Sequence, residues 1–273
     1  MRQTLTVLGL LTTAIAVASV AAGEPRTQRH AIQDAVSAST RTPANIARDK
    51  YRHPVETLSF FGVKPGQTVV EIWPGGGWYT EILAPLTAAK GTLYAGVSPW
   101  PDGGKGVQAL QAKNPAVFGH VKLAAFPWAE GQPKVPDGSA DIVLTFRNVH
   151  NWRMGYQRNG QDYSPQAFAQ MFAMLKPGGV LGIEDHRLPE SASAEREANS
   201  GYIKVSTVKR LAEAAGFQFV AASDINANPR DTADWPKGVW TLPPTYTLGD
   251  TDRAKYAAIG ESDRMTLKFR KPK

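Results

Sequence analysis

The sequence predicts an α/β fold, a seven-stranded, mostly parallel, doubly wound sheet with helices on both faces. Three observations predict it. Strand-like apolar runs alternate with helical segments along most of the chain, which is the pattern of a parallel sheet with crossover helices. The run "ADIVLTF" is apolar without alternation, as a strand covered on both sides requires. The run "QTVVEIW" passes into the glycine triplet Gly75-Gly76-Gly77, the kind of turn that joins a strand to a helix.

The elements follow in order. Residues 1–23 hold one Arg, then an uncharged stretch from Gln3 to Gly23 ending in small residues. This is the pattern of a cleaved signal peptide. It implies a periplasmic or secreted protein with no stable membrane insertion after cleavage. Residues 24–44 are polar and rich in Ala and Thr, and are expected to be a flexible lead-in. The main domain is expected over 45–273. Asn45 is placed to cap a short helix, His53-Pro54 breaks it, and a second short helix closes at Gly62.

Strands are expected at 67–73, 91–98, 120–126, 140–146, 179–185, 217–224 and 264–271. The helix after the first strand should start at the glycines, and another lies near 107–112. "SPQAFAQMFAMLKPGG" reads as a helix with Ser164 at the N-cap, Pro165 at the first position and Gly178 beyond the end. A further helix over 206–217 ends at Gly216. Residues 226–262, rich in Pro, Asp and Trp, form a long irregular insert of the kind that is usually functional or poorly ordered.

The 273 residues suit one large domain with extensions. The formal net charge is +7, but the basic residues are dispersed, so a solvated basic surface is expected and no nucleic-acid partner. The absence of cysteine excludes disulfides, thiolate zinc sites and thiol nucleophiles. Oligomeric state is not readable.

Ligands of open parallel sheets bind outside the carboxyl ends of the strands. The first strand delivers Glu71, Trp73 and the glycine turn there, and a helix beginning just afterwards points free N–H groups at a ligand. The spacing is not G-x-G-x-x-G, so a dinucleotide is not indicated. Glu71 ends a buried strand and must be hydrogen-bonded, either to a ligand or to the turn's own amides. The fourth strand delivers Arg147, Asn148, His150, Asn151 and Trp152, and the fifth delivers Glu184, Asp185, His186 and Arg187. Such groups suit acid–base work. With His150 they also have metal-ligand chemistry, although a salt-bridged rim explains them equally and no metal is assigned. "RDKYRHPVE" precedes the first strand and is placed to fold over the site, with Tyr51 and His53 as contacts to substrate.

The succession "VVEIWPGGGW", "GTLYAGVSP", "ADIVLTFRNVHNW", "LKPGGVLGIEDHR" and "AAGF" resembles the class I S-adenosylmethionine-dependent methyltransferases, in particular exported predicted methyltransferases of bacteria. The resemblance spans about 45–270. It implies the Rossmann-like methyltransferase fold with an antiparallel last strand and S-adenosylmethionine over the glycine turn. Glu71 matches the family's acid, and Gly75 and Gly77 match its last two glycines. Trp73 stands where the first glycine belongs, and Ser98 near the place of an acid that grips the ribose. Gly76, Asn148 and Phe126 complete the expected cofactor contacts, with Phe126 beside the adenine. Catalysis would fall to His150, His186, Arg147 and Asp185, with Tyr51 and His53 covering the acceptor.

Two functions remain open. One is an exported methyltransferase acting on a small molecule. The other is a protein of this fold that transfers no methyl group, and instead binds a small ligand or catalyses another acid–base or metal-assisted reaction.

Overall fold

The computed structural model describes residues 24–273; the expected signal peptide, residues 1–23, lies outside the described residues. Eight strands form: β1 (Thr68–Ile72), β2 (Thr92–Val97), β3 (Lys122–Ala125), β4 (Ala140–Phe146), β5 (Leu175–Leu188), β6 (Ile203–Lys204), β7 (Gln218–Ser223) and β8 (Arg264–Arg270). The main sheet has the order β3-β2-β1-β4-β5-β8-β7, and the short β6 pairs with β5. β1, β2, β3, β4 and β5 run parallel, and β8 is antiparallel to both its neighbours. The expected fold class holds. β6 is additional, and β5 starts earlier than expected because Leu175 already pairs with Ala140.

Strand periodicity explains the two-sided core. Val69 and Val70 point to opposite faces, and both are fully buried. On one face Val69, Ile142 and Leu144 pack with Leu58, Phe61 and Ile82. On the other, Val70, Val143 and Leu181 pack with Phe168, Met171 and Val208.

Several local expectations are corrected. The segment 24–44 is not a flexible lead-in: helix Glu24–Val36 docks by burying Ile32 and Ala35. Asn45 is inside helix Pro43–Ile46 rather than capping it; Thr42 is the N-cap. The Asn45 carbonyl instead accepts from the Trp78 indole at 2.9 Å. The helix after β1 starts at Thr80, because residues 75–79 form turns. Ser164 is the first residue of helix Ser164–Met174, whose N-cap is Tyr163, and the Asp162 carboxylate accepts from the Ser164 amide and hydroxyl. Gly178 lies within β5.

The insert is ordered. Residues 226–262 contain a 3-10 turn, Gly238–Thr241, and helix Arg253–Ile259. Asp231 anchors it by accepting from the Tyr202 hydroxyl, the Trp235 indole and the Asp263 amide. Among the described residues no helix is long and apolar enough to cross a membrane.

Candidate active site

The strand order reverses between β1 and β4, so their carboxyl ends diverge around a crevice. A cavity of about 320 Å³ lies there. β1 contributes Glu71, Trp73, Gly75 and Gly76, and β4 contributes Arg147, Asn148, His150 and Asn151. β5 contributes His186. Helices Pro43–Ile46 and Asp49–Arg52 cover it with Asn45, Arg48 and Arg52. The insert closes it with Trp240, Pro243, Pro244, Glu261 and Ser262.

The glycine turn owes its shape to left-handed backbone. Gly75 has φ 57° and Gly77 has φ 82°. Trp73 also has φ 52°, so it keeps the backbone shape that the glycine of the family pattern would supply. Its indole donates to the Phe126 carbonyl at 2.8 Å, and its ring meets Trp100, Trp152, Tyr156 and Tyr163. No residue between 80 and 145 borders the cavity, and a separate cleft lies at the ends of β2 and β3, lined by Val97, Ser98, Ala124 and Ala125.

Glu71 is buried and accepts from the Thr80 hydroxyl at 2.6 Å. Burial pushes its carboxyl up to about 7, and the Thr80 bond offsets this only in part. Asn148 is not free for a cofactor through its amide nitrogen, which donates to the Ile72 carbonyl at 3.0 Å and to Thr145 Oγ1 at 3.1 Å.

Asp185 organises the two histidines. One carboxylate oxygen lies 2.7 Å from His150 Nδ1 and also accepts from the His186 amide at 2.8 Å, and the other accepts from the His150 amide at 3.1 Å. The imidazole rings sit 5.0 Å apart, and His186 Nδ1 lies 2.5 Å from Ser262 Oγ. Burial, then the charges of His150 and Arg147, hold the His186 imidazole well below its ordinary range, so it is neutral at pH 7.

A second group is cationic. Arg48 and Arg52 lie one helical turn apart and both donate to Glu261, at 2.6 and 3.1 Å. Arg264 pairs with Glu184 at 3.0 Å and with Glu261 at 3.2 Å. Burial pushes the Glu261 carboxyl up, but Arg52, Arg264, Arg147 and Arg48 outweigh it and hold it at about 2. Burial and the Arg147 charge bring Arg52 down to about 10.

Glu71, Trp73, Gly75, Gly76, Arg147, Asn148, His150 and His186 therefore share one cavity, with Asp185 behind the histidines. Tyr51 and His53 do not reach it. They border a separate cleft, and the Tyr51 carbonyl accepts from Arg264. The covering segment is the expected one, but Arg48 and Arg52 present its inner face. Ser98 binds Gln157 at 3.2 Å and stands outside the cavity, as does fully buried Phe126. Gly77 packs against Leu110 rather than facing the cavity. Arg48, Arg52, Glu261 and Ser262 were not foreseen as contacts.

No protein-family model matches the sequence, and comparison with curated protein sequences gives no significant match. Solved structures do match the fold. A SAM-dependent methyltransferase from Aquifex aeolicus superposes with a TM-score of 0.52 at 16% identity, covering 89% of this chain and 97% of that one. The [4+2]-cyclase SpnF gives 0.57 at 16% identity, covering 86% and 85%. Phosphoethanolamine N-methyltransferase 2 of Haemonchus contortus, in complex with S-adenosyl-L-methionine, gives 0.54 at 16% identity, covering 89% of this chain and 60% of that one. At this identity the matches establish the methyltransferase-type Rossmann-like fold, and the fold alone.

Proposed function

We propose that the protein is an S-adenosylmethionine-dependent methyltransferase acting on a small molecule outside the cytoplasm. The observation that carries this is the switch-point cavity, in which Glu71, Gly75 and Gly76 of β1 face the polar cluster Arg147–Asn151 of β4. Export is supported by the residue pattern of 1–23.

The residues fit one half of the cofactor. Glu71, Gly75 and Gly76 would receive its methionine end, and the bound group would supply an electrophilic methyl. The adenosine half needs room toward β2 and β3, and the Trp73 ring, held on the Phe126 carbonyl, stands on that side of the cavity, so Trp73 would swing aside for the whole molecule to enter. The chain's own part is positioning. Asp185 accepts from His150 Nδ1–H and fixes that ring. With Ser262 Oγ accepting from His186 Nδ1–H, His186 Nε2 is a neutral hydrogen-bond acceptor beside the cavity, suited to orienting the methyl acceptor rather than to holding its proton.

One observation favours a second reading. The Trp73 cluster separates Ser98 and Phe126 from the cavity, so the two expected adenosine contacts are absent from it. On this reading the same cavity performs acid–base chemistry without methyl transfer, and the fold permits that, since SpnF is a cyclase. Calorimetric titration with S-adenosylhomocysteine separates the two. The first reading expects saturable binding; no heat at millimolar ligand would leave the second.

A further inference from the structure

We infer that the cavity holds the anionic group, carboxylate or phosphoryl, of the molecule acted on, and that Arg52 and Arg147 are its seat. This rests on the cavity being the ligand site, and not on methyl transfer.

The cations outnumber the carboxylates that pair with them. Four guanidiniums, Arg48, Arg52, Arg147 and Arg264, gather around Glu184 and Glu261, while Asp185, also buried, is engaged by the two histidines. Arg264 pairs with both carboxylates, while its Nε and Glu184 Oε1 are buried without a hydrogen-bond partner. Arg52 gives Glu261 only its Nε; both its terminal nitrogens are buried without a partner. Its side chain is fully buried, and its guanidinium lies 4.7 Å from the centre of the Trp78 ring, which fixes its plane. Arg48 Nη2 and Arg147 Nε are also buried without partners. Among the described residues the Arg147 side chain makes no hydrogen bond or ion pair.

Buried guanidinium donors without acceptors are costly. Arg147 adds backbone cost, with φ 64° at the end of β4. Both costs are offset if an oxyanion occupies the cavity, because a planar fork pairs with carboxylate or phosphoryl oxygens in two parallel bonds. A cation is the competing occupant, since donor atoms of His150, Asp185 and His186 lie within 4.8 Å of one another. Both Asp185 oxygens, however, already accept hydrogen bonds, and the neighbouring guanidiniums repel a metal ion.

Thermal unfolding at fixed ionic strength tests this, with chloride, inorganic phosphate or succinate as the anion. Phosphate or succinate should raise the wild-type Tm over chloride by about 5 °C at saturation. Arg147→Met should lose most of that rise, yet unfold in chloride no earlier than wild type, because it removes a half-buried charge that has no partner. Arg147→Gln replaces it should the methionine variant not fold. No rise with either anion, or a full rise in the variant, would overturn the inference. S-adenosylhomocysteine added to the phosphate arm separates two sources of the anion. Additive stabilisation supports a seat for the molecule acted on, whereas competition would reassign it to the cofactor's own carboxylate. If S-adenosylhomocysteine does not bind at all, methyl transfer fails while the phosphate response still reads the seat.

Discussion

The Trp73 indole donates to the Phe126 carbonyl at 2.8 Å, and this single bond ties the end of β1 to the end of β3 across the space where an adenosine would lie. Trp73→Gly keeps the left-handed backbone at no steric cost and removes the ring. S-adenosylhomocysteine should then bind at least tenfold more tightly than to wild type by calorimetry. The lost packing should destabilise the fold by less than the about 3–5 kcal/mol of a fully buried aromatic truncation, because Trp73 is only partly buried. Unchanged affinity would mean that the ring does not obstruct the ligand.

Glu71 gives the fold a pH signature. Its folded-state pKa, about 7, is above the ordinary 4.5, so the native state binds more protons than the unfolded state between these values. Stability should therefore fall as pH rises from about 4.5 to about 7 and then level off with respect to this group. Glu71→Gln should remove that slope and be more stable than wild type above pH 7, by an amount on the order of 3 kcal/mol. Denaturant melts across the pH range read the difference.

Asp185→Asn should disturb the histidine pair without emptying the cavity. The carboxylate that accepts from His150 Nδ1 becomes an amide, which no longer enforces that tautomer. We expect a stability loss of about 1–3 kcal/mol and a change in the His150 nitrogen shifts by NMR. Unchanged shifts would show that Asp185 does not set the ring's tautomer.

Gly77 tests the turn. An added methyl would overlap the Leu110 side chain, and φ 82° is unfavourable for alanine. Gly77→Ala should cost about 1–3 kcal/mol, whereas Gly76→Ala, with open space around its position, should cost much less. Equal effects in denaturant melts would contradict this account of the turn.

The middle of the sheet was legible because its strands carry their burial in their own residues: "ADIVLTF" is apolar on both faces and is covered on both. The clusters after β1, β4 and β5 were legible because strand ends of a parallel sheet must meet at one edge. What the sequence hid depended on facing and on distance. "RDKYRHPVE" offered aromatic and basic groups alike, and only the helical phase turns Arg48 and Arg52 inward while Tyr51 goes to the other side. Glu261 and Ser262 lie more than 200 residues from Arg48, in an insert without a regular period, so nothing local pointed to them. Helix Glu24–Val36 was hidden because Ile32 and Ala35 supply too short an apolar stripe to stand out from its polar neighbours.

A crystal structure of the protein with S-adenosylhomocysteine tests the reading of the site most directly. The ligand's methionine end should lie against Gly75 and Gly76, beside Glu71, with the Trp73 ring displaced from Phe126. A ligand bound elsewhere, or a cavity that stays empty with Trp73 still on the Phe126 carbonyl, would contradict it.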